Sequence, residues 1–309
     1  MRVVVTGGTG FIGRPLCQKL VKLGHSVIVL TRDPGSAVAR LDQRVSLTGW
    51  EGAQRSSPQY LAALQGCEAI INLAGEPIAG RRWTDRVKDD HRASRIGTTA
   101  GLVSALSTSG VKPGLLISAS AIGYYGPRGD ETLTEESPPG AGFLASLCSG
   151  WEAAARAAEP LGMRVVLPRI GVVLGKGGGP LGKMLTLFRL GLGGPMGSGT
   201  QWISWIHRDD LVDLLVTAMG NPTFRGPVNA TAPHPVTNRE FASTLGRVLN
   251  RPARLPVPGF LLRLALGQMA DELLLTGQRV VPQRAERWGY RFRYPRLAEA
   301  FHEILAVSR

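Results

Sequence analysis

The chain has 309 residues, of which 43% are hydrophobic and 19% are charged, and its formal net charge is +13. This length allows one large or two modest domains with a substantial core, and the composition is typical of a soluble globular protein. The sequence contains no run of about 18 apolar residues, which argues against a membrane-spanning helix. The first apolar strand begins at Arg2, so we expect no signal peptide.

The positive charge is compatible with nucleic acid, an acidic membrane surface or anionic small molecules as partners. Basic residues are spread along the chain, in pairs such as Arg81-Arg82, and few aromatic residues lie among them. This pattern favours an anionic cofactor and a basic surface, with no nucleic acid as primary partner and no membrane.

The cysteines are few and scattered. Cys17, Cys67 and Cys148 form an odd set without C-x-x-C spacing. They indicate reduced thiols in a cytoplasmic protein, and neither a disulfide frame nor a metal site is predicted.

A glycine-rich turn opens the chain. A buried strand at residues 3–5 leads into Thr6-Gly-Gly-Thr-Gly-Phe-Ile-Gly13 and then into a helical pattern. Gly7, Gly10 and Gly13 would permit the tight turn, the approach of backbone amides to a pyrophosphate, and close packing of the helix on the strand. The pyrophosphate would lie at the helix N-terminus. This order of elements predicts a dinucleotide site.

The end of the second strand bears on the choice of cofactor. An acidic residue there binds the ribose 2′-hydroxyl of NAD, whereas an arginine nearby accommodates the 2′-phosphate of NADP. The sequence reads Thr31-Arg32-Asp33, and a guanidinium suits phosphate. NADP is therefore favoured over NAD, with a solvated loop charge at Arg32 as the alternative. Asp33 is expected to cap the following turn.

Strands and helices alternate along the rest of the chain. Strands are predicted at 44–47, 68–73, 115–120, 163–167 and 228–230, and helices at 58–64, 84–109, 142–160, 181–190, 207–215, 237–249, 259–276 and 296–306. This alternation is typical of an α/β fold with a parallel sheet. The glycine-rich stretches 175–179 and 191–199 suggest either a substrate lid or plain connectors.

Polar residues follow the central strands. Ser118 and Ser120 stand at the carboxyl end of the fifth strand, and Tyr124 and Tyr125 follow on a loop. Hydroxyls in this position are suited to proton transfer to a carbonyl, although packing is the alternative for the tyrosine pair.

Two further features have alternative interpretations. Asp90 and Arg95, on the helix 84–109, either face the cofactor ribose or form a solvated pair. His207 is expected to be a structural hydrogen-bonding residue, because no second ligand has metal-binding spacing.

Three motifs together establish a resemblance: Thr6–Gly13, Asn72-Leu-Ala-Gly75 and Trp205-Ile-His-Arg-Asp-Asp-Leu211. The chain resembles an extended short-chain dehydrogenase/reductase of the NAD-dependent epimerase/dehydratase superfamily. More narrowly, it resembles the group called "epimerase family protein", also described as cell-division inhibitor-like. Further matches are Glu76, Arg82-Trp83, Ser94-Arg95, Trp151–Ala155, residues 190–195 and 197–199, and a characteristic C-terminal domain at about 252–300.

The resemblance implies a Rossmann-like, doubly wound parallel sheet of about seven strands that binds NADP, with a smaller C-terminal substrate lobe. The NADP-binding domain would comprise 1–173 and 207–224, and the substrate lobe 174–206 and 225–309. The cofactor-binding residues that the resemblance implies are Gly7, Gly10, Phe11, Ile12, Gly13, Thr31, Arg32, Leu73, Ala74, Gly75, Arg95 and Val173.

The chain departs from the family pattern at the reaction centre. Active members use Tyr-x-x-x-Lys, in which the lysine lowers the tyrosine pKa, but here Leu144 and Cys148 occupy the two positions. A thiol is no obvious substitute for the lysine. Tyr124-x-x-x-Arg128 has the nearest spacing, on a loop where the two side chains need not share a face.

If the protein is an enzyme, we expect Tyr124 to donate or accept the proton, with Ser118 or Ser120 binding the carbonyl. Glu76 is a secondary acid–base candidate.

Two functions follow. The first is an NADP(H)-dependent oxidoreductase or epimerase acting on a carbonyl or secondary alcohol of a small-molecule substrate. The second is a catalytically weak NADP(H)-binding regulatory protein, linked to cell division. The missing Tyr–Lys pair favours the second, whereas the intact glycine motif and the large closing lobe favour the first, which we prefer. The sequence does not give the substrate or the oligomeric state, for which a homodimer is one candidate.

Overall fold

Seven parallel strands form the central sheet in the computed structural model, which describes residues 1–52 and 57–305. The strands are β1 (Arg2–Thr6), β2 (Ser26–Thr31), β3 (Ser46–Gly49), β4 (Ala69–Asn72), β5 (Leu115–Ser118), β6 (Arg164–Ile170) and β7 (Gly226–Ala230). Their spatial order is β3-β2-β1-β4-β5-β6-β7, and the short strand Ser120–Ala121 adds to β6. This is the doubly wound Rossmann-like sheet that the sequence predicts.

Both faces of the sheet are covered, which explains the continuous apolar sequence of β1. Val3 and Val5 pack in one core cluster with Leu16 of the first helix, whereas Val4 packs in a second cluster with Leu102. All three valines of the strand are fully buried. A strand buried on both faces needs apolar residues at every position, because successive side chains point to opposite faces.

Thirteen helices surround the sheet within the described ranges: α1 (Gly13–Lys22), α2 (Pro34–Val38), α3 (Pro58–Leu64), α4 (Asp85–Arg92), α5 (Thr98–Ser109), α6 (Phe143–Arg156), α7 (Gly179–Arg189), α8 (Arg208–Gly220), α9 (Asn238–Val248), α10 (Gly259–Leu266), α11 (Gln268–Ala270), α12 (Gln283–Arg287) and α13 (Leu297–Leu305). Short 3-10 turns occur at Ile122–Tyr125 and Glu159–Leu161. Wider π turns occur at Ala93–Gly97 and Asp271–Leu275.

The structure corrects several predicted boundaries. The third strand lies at Ser46–Gly49, two residues later than predicted, and the fifth ends at Ser118 before the chain pairs again at Ser120–Ala121. The helix predicted at 84–109 is divided by the π turn between α4 and α5, which apolar periodicity does not reveal. Residues 306–309, which include the last position of the helix predicted at 296–306, lie outside the described residues.

The C-terminal part of the chain has a smaller core of its own. α9 and α13 contribute Phe241, Leu245, Leu297 and Phe301 to one cluster. Thr237 caps α9 as predicted, in a capping box with Glu240.

Short two-stranded ladders accompany this core. The pairs are Val172–Leu174 with Trp205–His207, Trp202–Ile203 with Val236–Thr237, and Thr132–Leu133 with Arg279–Val280.

The C-terminal segment also contacts α6. The carboxylate of Glu272 accepts hydrogen bonds from the backbone N–H groups of Phe143 (3.1 Å) and Leu144 (2.9 Å), at the start of α6. A carboxylate there satisfies N–H groups that have no partner within the helix. The C-terminal segment is thereby fixed beside Leu144, which occupies the tyrosine position that the resemblance implies.

Candidate functional site

The candidate site lies at the carboxyl edge of the sheet between β1 and β4. The strand order changes direction at this pair, because β2 and β3 lie on one side of β1 while β4 to β7 lie on the other. Loops that leave such a switch point diverge and form the crevice in which α/β proteins bind ligands. The β1–α1 turn, the end of β2 and the end of β4 all reach this edge.

The turn after β1 accommodates no side chains at its glycines. Gly7 has a φ of +68°, and a Cβ atom there would lie 2.6 Å from the carbonyl oxygen of Leu73. A Cβ at Gly13 would lie 2.2 Å from the Gly7 oxygen, and the N–H of Gly10 donates to that oxygen at 3.0 Å. Gly8, which sequence reasoning did not single out, packs as closely on Val29. The turn is therefore a cradle of bare backbone.

In the described part of the chain, the N-terminus of α1 has neither a side-chain cap nor an acidic residue in its first turn. Ile12 precedes the helix without making a side-chain cap, and the first turn contains no acidic residue, whereas Lys19 and Lys22 lie in the last turn. Unpaired N–H groups and the helix dipole make this end favourable for an anion. A pyrophosphate fits the cradle in charge and in space.

Arg32 lies where the second strand leaves the sheet, and its side chain is 79% exposed. Its Nη1 lies 3.6 Å from Glu76 Oε1, and Nη2 of Arg81 lies 3.4 Å from the other oxygen of that carboxylate. Asp33 caps α2 as predicted, by accepting the Ser36 N–H at 3.1 Å. Two guanidinium groups thus meet at one carboxylate above the end of β4. The sequence shows Arg81 only as part of a basic pair.

Arg95 extends from the π turn to the β4 loop. Its Nη2 donates to the Glu76 carbonyl oxygen at 2.6 Å, and its guanidinium carbon lies 5.5 Å from the centre of the Trp151 ring. A Cβ at Gly75 would lie 3.3 Å from the same carbon, so Gly75 leaves room for this side chain. Burial lowers the pKa of Arg95 from its usual value.

The alternative of an Asp90–Arg95 pair is wrong. Asp90 instead accepts a hydrogen bond from Arg81 at 3.0 Å.

Phe11 and Val173 meet across the glycine loop that precedes α7. A Cβ at Gly179 would lie 2.9 Å from the Phe11 ring and 3.1 Å from the Val173 carbonyl oxygen. The guanidinium of Arg208 lies 5.2 Å from the centre of the same ring. The structure therefore brings these two predicted residues to one side of the glycine turn.

A cavity of about 510 Å³ adjoins Phe11 on the outer side of α1. Arg14, Arg40, Lys176 and Arg208 line it, and the one carboxylate among its lining residues, Asp42, accepts two hydrogen bonds from the Arg44 side chain and one from the Arg44 N–H. These cations add positive potential near the helix N-terminus, and sequence reasoning did not identify them as a group.

Ser118 belongs to a buried hydrogen-bond network under the β4 loop. Its Oγ accepts a hydrogen bond from the Asn72 amide at 3.1 Å, and that amide also donates to Thr99 at 2.8 Å. Thr6 donates to the Asn72 oxygen at 2.6 Å. The network joins β1, β4 and β5 and leaves Ser118 fully buried, so binding a substrate carbonyl would require an exchange of hydrogen bonds.

Ser120 belongs to a second buried network. Its hydroxyl donates to Glu152 at 2.8 Å, and the same carboxylate accepts two hydrogen bonds from Arg169, at 2.8 and 2.9 Å. The side chains of Arg169 and Glu152 are only 3% and 5% exposed. Hydrogen bonds and charge from Glu152 raise the pKa of Arg169, despite the opposing effect of burial.

Tyr124 lies on this buried cation. The Arg169 guanidinium carbon is 3.5 Å from the centre of the Tyr124 ring, which is half-buried. Arg128, which has the nearest family-like spacing to Tyr124, pairs instead with Glu131 at 2.8 Å. Within residues 1–52 and 57–305, no hydrogen bond engages the Tyr124 hydroxyl. The positive charge next to this tyrosine therefore comes from Arg169 and not from Arg128.

The adjacent tyrosine has a different role. Tyr125 is fully buried, donates to Asn229 at 2.6 Å and accepts from Arg169 at 2.9 Å. Burial raises its pKa to about 12. Tyr125 is thus a packed, structural residue.

The two positions of the family's Tyr–Lys pair are closed. Leu144 packs on the tyrosine turn, with its Cβ 3.1 Å from where a Cβ of Gly123 would lie. Cys148 is buried, and desolvation raises its pKa to about 12, so it stays a neutral thiol at physiological pH. Cys17 and Cys67 are also buried and free.

His207 is structural, as predicted. Its Nδ1 accepts the Asp209 N–H at 3.2 Å and caps α8, while its Nε2 bonds to Glu303 at 3.1 Å.

Comparison with known proteins agrees with this geometry. The sequence profile of the NAD dependent epimerase/dehydratase family matches residues 3–230, and a domain of unknown function, DUF1731, matches residues 257–304. The chain is 43% identical over 307 residues to the chloroplastic "Epimerase family protein SDR39U1 homolog" of Arabidopsis thaliana, covering 99% of this chain and 87% of the relative. It is 40% identical over 309 residues to the human epimerase family protein SDR39U1, covering 99% and 100% of the two chains.

Solved structures extend the similarity. The crystal structure of human epimerase family protein SDR39U1 with NADPH has a TM-score of 0.87 and 38% identity, covering 99% of both chains. A UDP-glucuronic acid 4-epimerase from Bacillus cereus shares the fold alone, with a TM-score of 0.80 at 16% identity over 98% of both chains. The family profile covers most of the chain, and the relatives cover nearly all of it. The protein therefore belongs to the NAD-dependent epimerase/dehydratase family.

Proposed function

We propose that the protein is an NADP(H)-dependent oxidoreductase or epimerase that acts on a carbonyl or secondary alcohol. The observation that carries this proposal is the uncapped N-terminus of α1 in its glycine cradle, next to a strand end that offers Arg32 in place of an acidic residue. The human relative that was crystallised with NADPH supports the choice of cofactor.

The predicted cofactor residues divide into three groups. The glycine turn with Phe11 and Ile12 would hold the pyrophosphate through backbone N–H groups. Arg32, with Thr31, would bind the 2′-phosphate, and that phosphate would replace Glu76 as the partner of Arg32. Leu73 to Gly75, Arg95 and Val173 would border the rest of the dinucleotide. When bound, the nicotinamide supplies the hydride chemistry.

Tyr124 is the proposed proton donor or acceptor. Its hydroxyl is free of hydrogen bonds to the described residues, and Arg169 holds its ring from below. Ser118 and Ser120 are proposed to act with it, although both hydroxyls are already engaged by protein groups. Geometry favours Tyr124 over the two serines as the group that meets the substrate.

The domain division also stays a proposal: residues 1–173 and 207–224 bind the cofactor, and 174–206 and 225–309 form the substrate lobe. Within the described ranges, no helix is long and apolar enough to cross a bilayer. A cytoplasmic location and a homodimer remain predictions, and the Arabidopsis relative is named as chloroplastic.

A nucleotide-binding regulatory protein is the second candidate. The closed Leu144 and the neutral Cys148 at the family's catalytic positions favour it, because neither side chain can replace a Tyr–Lys pair. In this case cofactor binding would persist without turnover.

The test is NADPH oxidation over a broad panel of aldehydes and ketones, with wild type and Tyr124→Phe. We expect turnover by the wild type and a loss of about a hundredfold or more in the variant, which removes the proton-transfer group. NADPH affinity should be the same in both proteins. Unchanged turnover in Tyr124→Phe would remove Tyr124 from the mechanism. Tight NADPH binding without turnover across the panel would favour the regulatory protein.

A further inference from the structure

One edge of the C-terminal part of the chain exposes a group of large apolar side chains. We call it the apolar edge, and it consists of Leu187, Leu190, Leu192, Leu255, Val257, Phe260, Leu261 and Leu264. Leu264, Leu190 and Phe260 are 74%, 67% and 66% exposed. Scattered exposed leucines are ordinary, but a group in one place is typical of an interaction surface.

Hydrogen bonds show that the segments carrying these residues lie side by side. The chain after α7 runs beside the chain that leads into α10, with the Leu255 N–H donating to the Gly193 oxygen at 3.3 Å and the Val257 N–H to the Pro195 oxygen at 2.9 Å. Nε of Arg251 donates to the Arg189 oxygen at 3.0 Å. α7, the two adjacent segments and α10 are therefore continuous.

α10 is the most unusual part of this surface. Its sequence is Gly-Phe-Leu-Leu-Arg-Leu-Ala-Leu, and none of its residues is buried. On a helical projection, Phe260, Leu264, Leu261 and Ala265 cover an arc of about 140°. A helix with an apolar face of this width is normally covered by protein or immersed in lipid.

The two segments that carry the apolar edge contain charges of one sign. Residues 179–198 and 250–268 contain five cations and no carboxylate: Lys183, Arg189, Arg251, Arg254 and Arg263. All five are exposed. Of the five, Arg263 alone has a carboxylate partner in the described part of the chain, Asp271 at 2.8 Å. A second copy of the chain would place like charges opposite each other, whereas an anionic surface would complement them.

We propose that the apolar edge docks onto an anionic lipid surface, with α10 lying in the interface and the arginines at the headgroups. Apolar side chains beside basic ones on a short exposed helix are the features of an interfacial contact. The proposal needs no spanning helix. It departs from the sequence-based expectation of no membrane partner, and it gives a role to the positive charge that the cofactor does not use.

The test is sedimentation of the purified full chain with phosphatidylcholine vesicles that either lack or contain phosphatidylglycerol. We expect binding to the anionic vesicles and at least about tenfold weaker binding to the neutral ones, since each Lys or Arg near the surface adds to the attraction. High salt should release the protein. Equal binding to both vesicle types, or binding to neither, would overturn the proposal.

Matched variants locate the contact. Phe260→Ser with Leu264→Ser, and separately Arg189→Gln with Arg254→Gln, should each weaken binding about tenfold or more. The controls are Leu23→Ser with Val38→Ser, which are 53% and 64% exposed elsewhere, and Arg86→Gln with Lys112→Gln. Controls that lose as much binding as the apolar-edge variants would contradict the assignment.

Two further measurements separate the other outcomes. NADPH binding should be unchanged in every apolar-edge variant, so a failure of the lipid proposal is distinct from a failure of the proposed function. Sedimentation velocity without vesicles tests whether the chain associates with itself through the apolar edge. We expect no self-association that is lost in the variant Phe260→Ser with Leu264→Ser. Such self-association would identify a second copy as the occupant and overturn the lipid proposal.

Discussion

The two ends of the crevice differ in what they leave for a ligand. At the nucleotide end, the turn after β1 presents bare backbone, and Ile12 leaves the start of α1 uncapped. At the reaction end, polar side chains bind one another: Asn72 holds Ser118, and Glu152 holds both Ser120 and Arg169. The first end has unused hydrogen-bonding groups, whereas the second has satisfied most of its own.

Under the proposed function, this difference separates cofactor binding from chemistry. Backbone N–H groups at a helix start bind phosphate in many proteins and require only glycines at fixed positions. Proton transfer requires a side chain that is free and positioned. At the reaction end, Tyr124 is the polar group that best meets this requirement, and its position depends on the buried Arg169.

The largest expected effect comes from Arg169→Met, which would leave the buried Glu152 carboxylate without a cation and with only the hydrogen bond from Ser120 among its described partners. We expect the free energy of unfolding to fall by about 3–5 kcal/mol in urea titrations, because an unpaired buried charge is costly. Adding Glu152→Leu should recover part of this loss. A control with a partly exposed ion pair, Arg156→Gln, should cost less than about 1 kcal/mol.

A small effect of Arg169→Met on stability would contradict the difference drawn between the two ends of the crevice. The reaction end would then lack a rigid polar framework. The double variant distinguishes the charge effect from lost packing. Recovery is expected only if the cost arises from the stranded carboxylate.

Gly13→Ala tests the nucleotide end. A Cβ atom at Gly13 would lie 2.2 Å from the Gly7 oxygen, so the turn must move, at a cost of about 1–3 kcal/mol of stability. NADPH affinity should fall by more than about tenfold, because the backbone N–H groups lose their alignment. Calorimetric titration and urea unfolding measure the two effects.

The control for Gly13→Ala is Gly182→Ala. Gly182 lies within α7 with no atom close to the added Cβ, so the substitution should raise stability by up to about 1 kcal/mol. A Gly13→Ala protein that binds NADPH as tightly as wild type would show that the cradle does not hold the cofactor.

The sequence predicts the nucleotide end well because its signals are local. The strand, the turn and the helix are contiguous, and Asp33 caps α2 within three residues of its own position. The α/β fold class follows from the alternation of strands and helices, whereas the strand order comes from the structure.

The reaction end depends on contacts between residues that are distant in sequence. Arg128 has the nearest spacing to Tyr124, but it is Arg169 that reaches the ring, from β6, because β5 and β6 are neighbours in the sheet. The charge partners of Glu76 likewise come from separate loops, at Arg32 and Arg81. Neither contact has a local pattern that the sequence could show.

A smaller effect is expected from His91, which is 2% exposed near Arg95 between the two ends. Both of its ring nitrogens lack a hydrogen-bond partner in the described structure. Burial lowers the pKa of His91 below its usual 6.5, and Arg95 and Arg81 act in the same direction against weaker opposition from Glu76 and Asp90.

The depressed pKa makes the folded protein less stable in acid. Above pH 6.5 the histidine is neutral in both states, but below it the unfolded chain takes up a proton that the folded chain resists. The free energy of unfolding should therefore fall as the pH drops from about 7 to 5, by at most about 1.4 kcal/mol per pH unit from this group.

His91→Leu should remove the contribution of His91 to the slope of unfolding free energy against pH. Urea titrations across the same pH range measure this slope. Burial raises the pKa values of Glu135 and Asp210, so these two carboxyls make stability rise as the pH falls. They do so equally in wild type and in His91→Leu. The difference in slope between the two proteins therefore isolates the contribution of His91. An unchanged slope in His91→Leu would show that the histidine remains accessible to protons in the folded state.

The most direct test of the account is calorimetric titration of NADPH and NADH into wild type, Arg32→Ala and the exposed control Arg86→Ala. We expect wild type and the control to prefer NADPH, and Arg32→Ala to lose about tenfold or more in NADPH affinity with little change for NADH, because it removes the charge-assisted bond to the 2′-phosphate. Equal affinity for both nucleotides in wild type, or no binding of either, would contradict the assignment of this crevice to NADP(H).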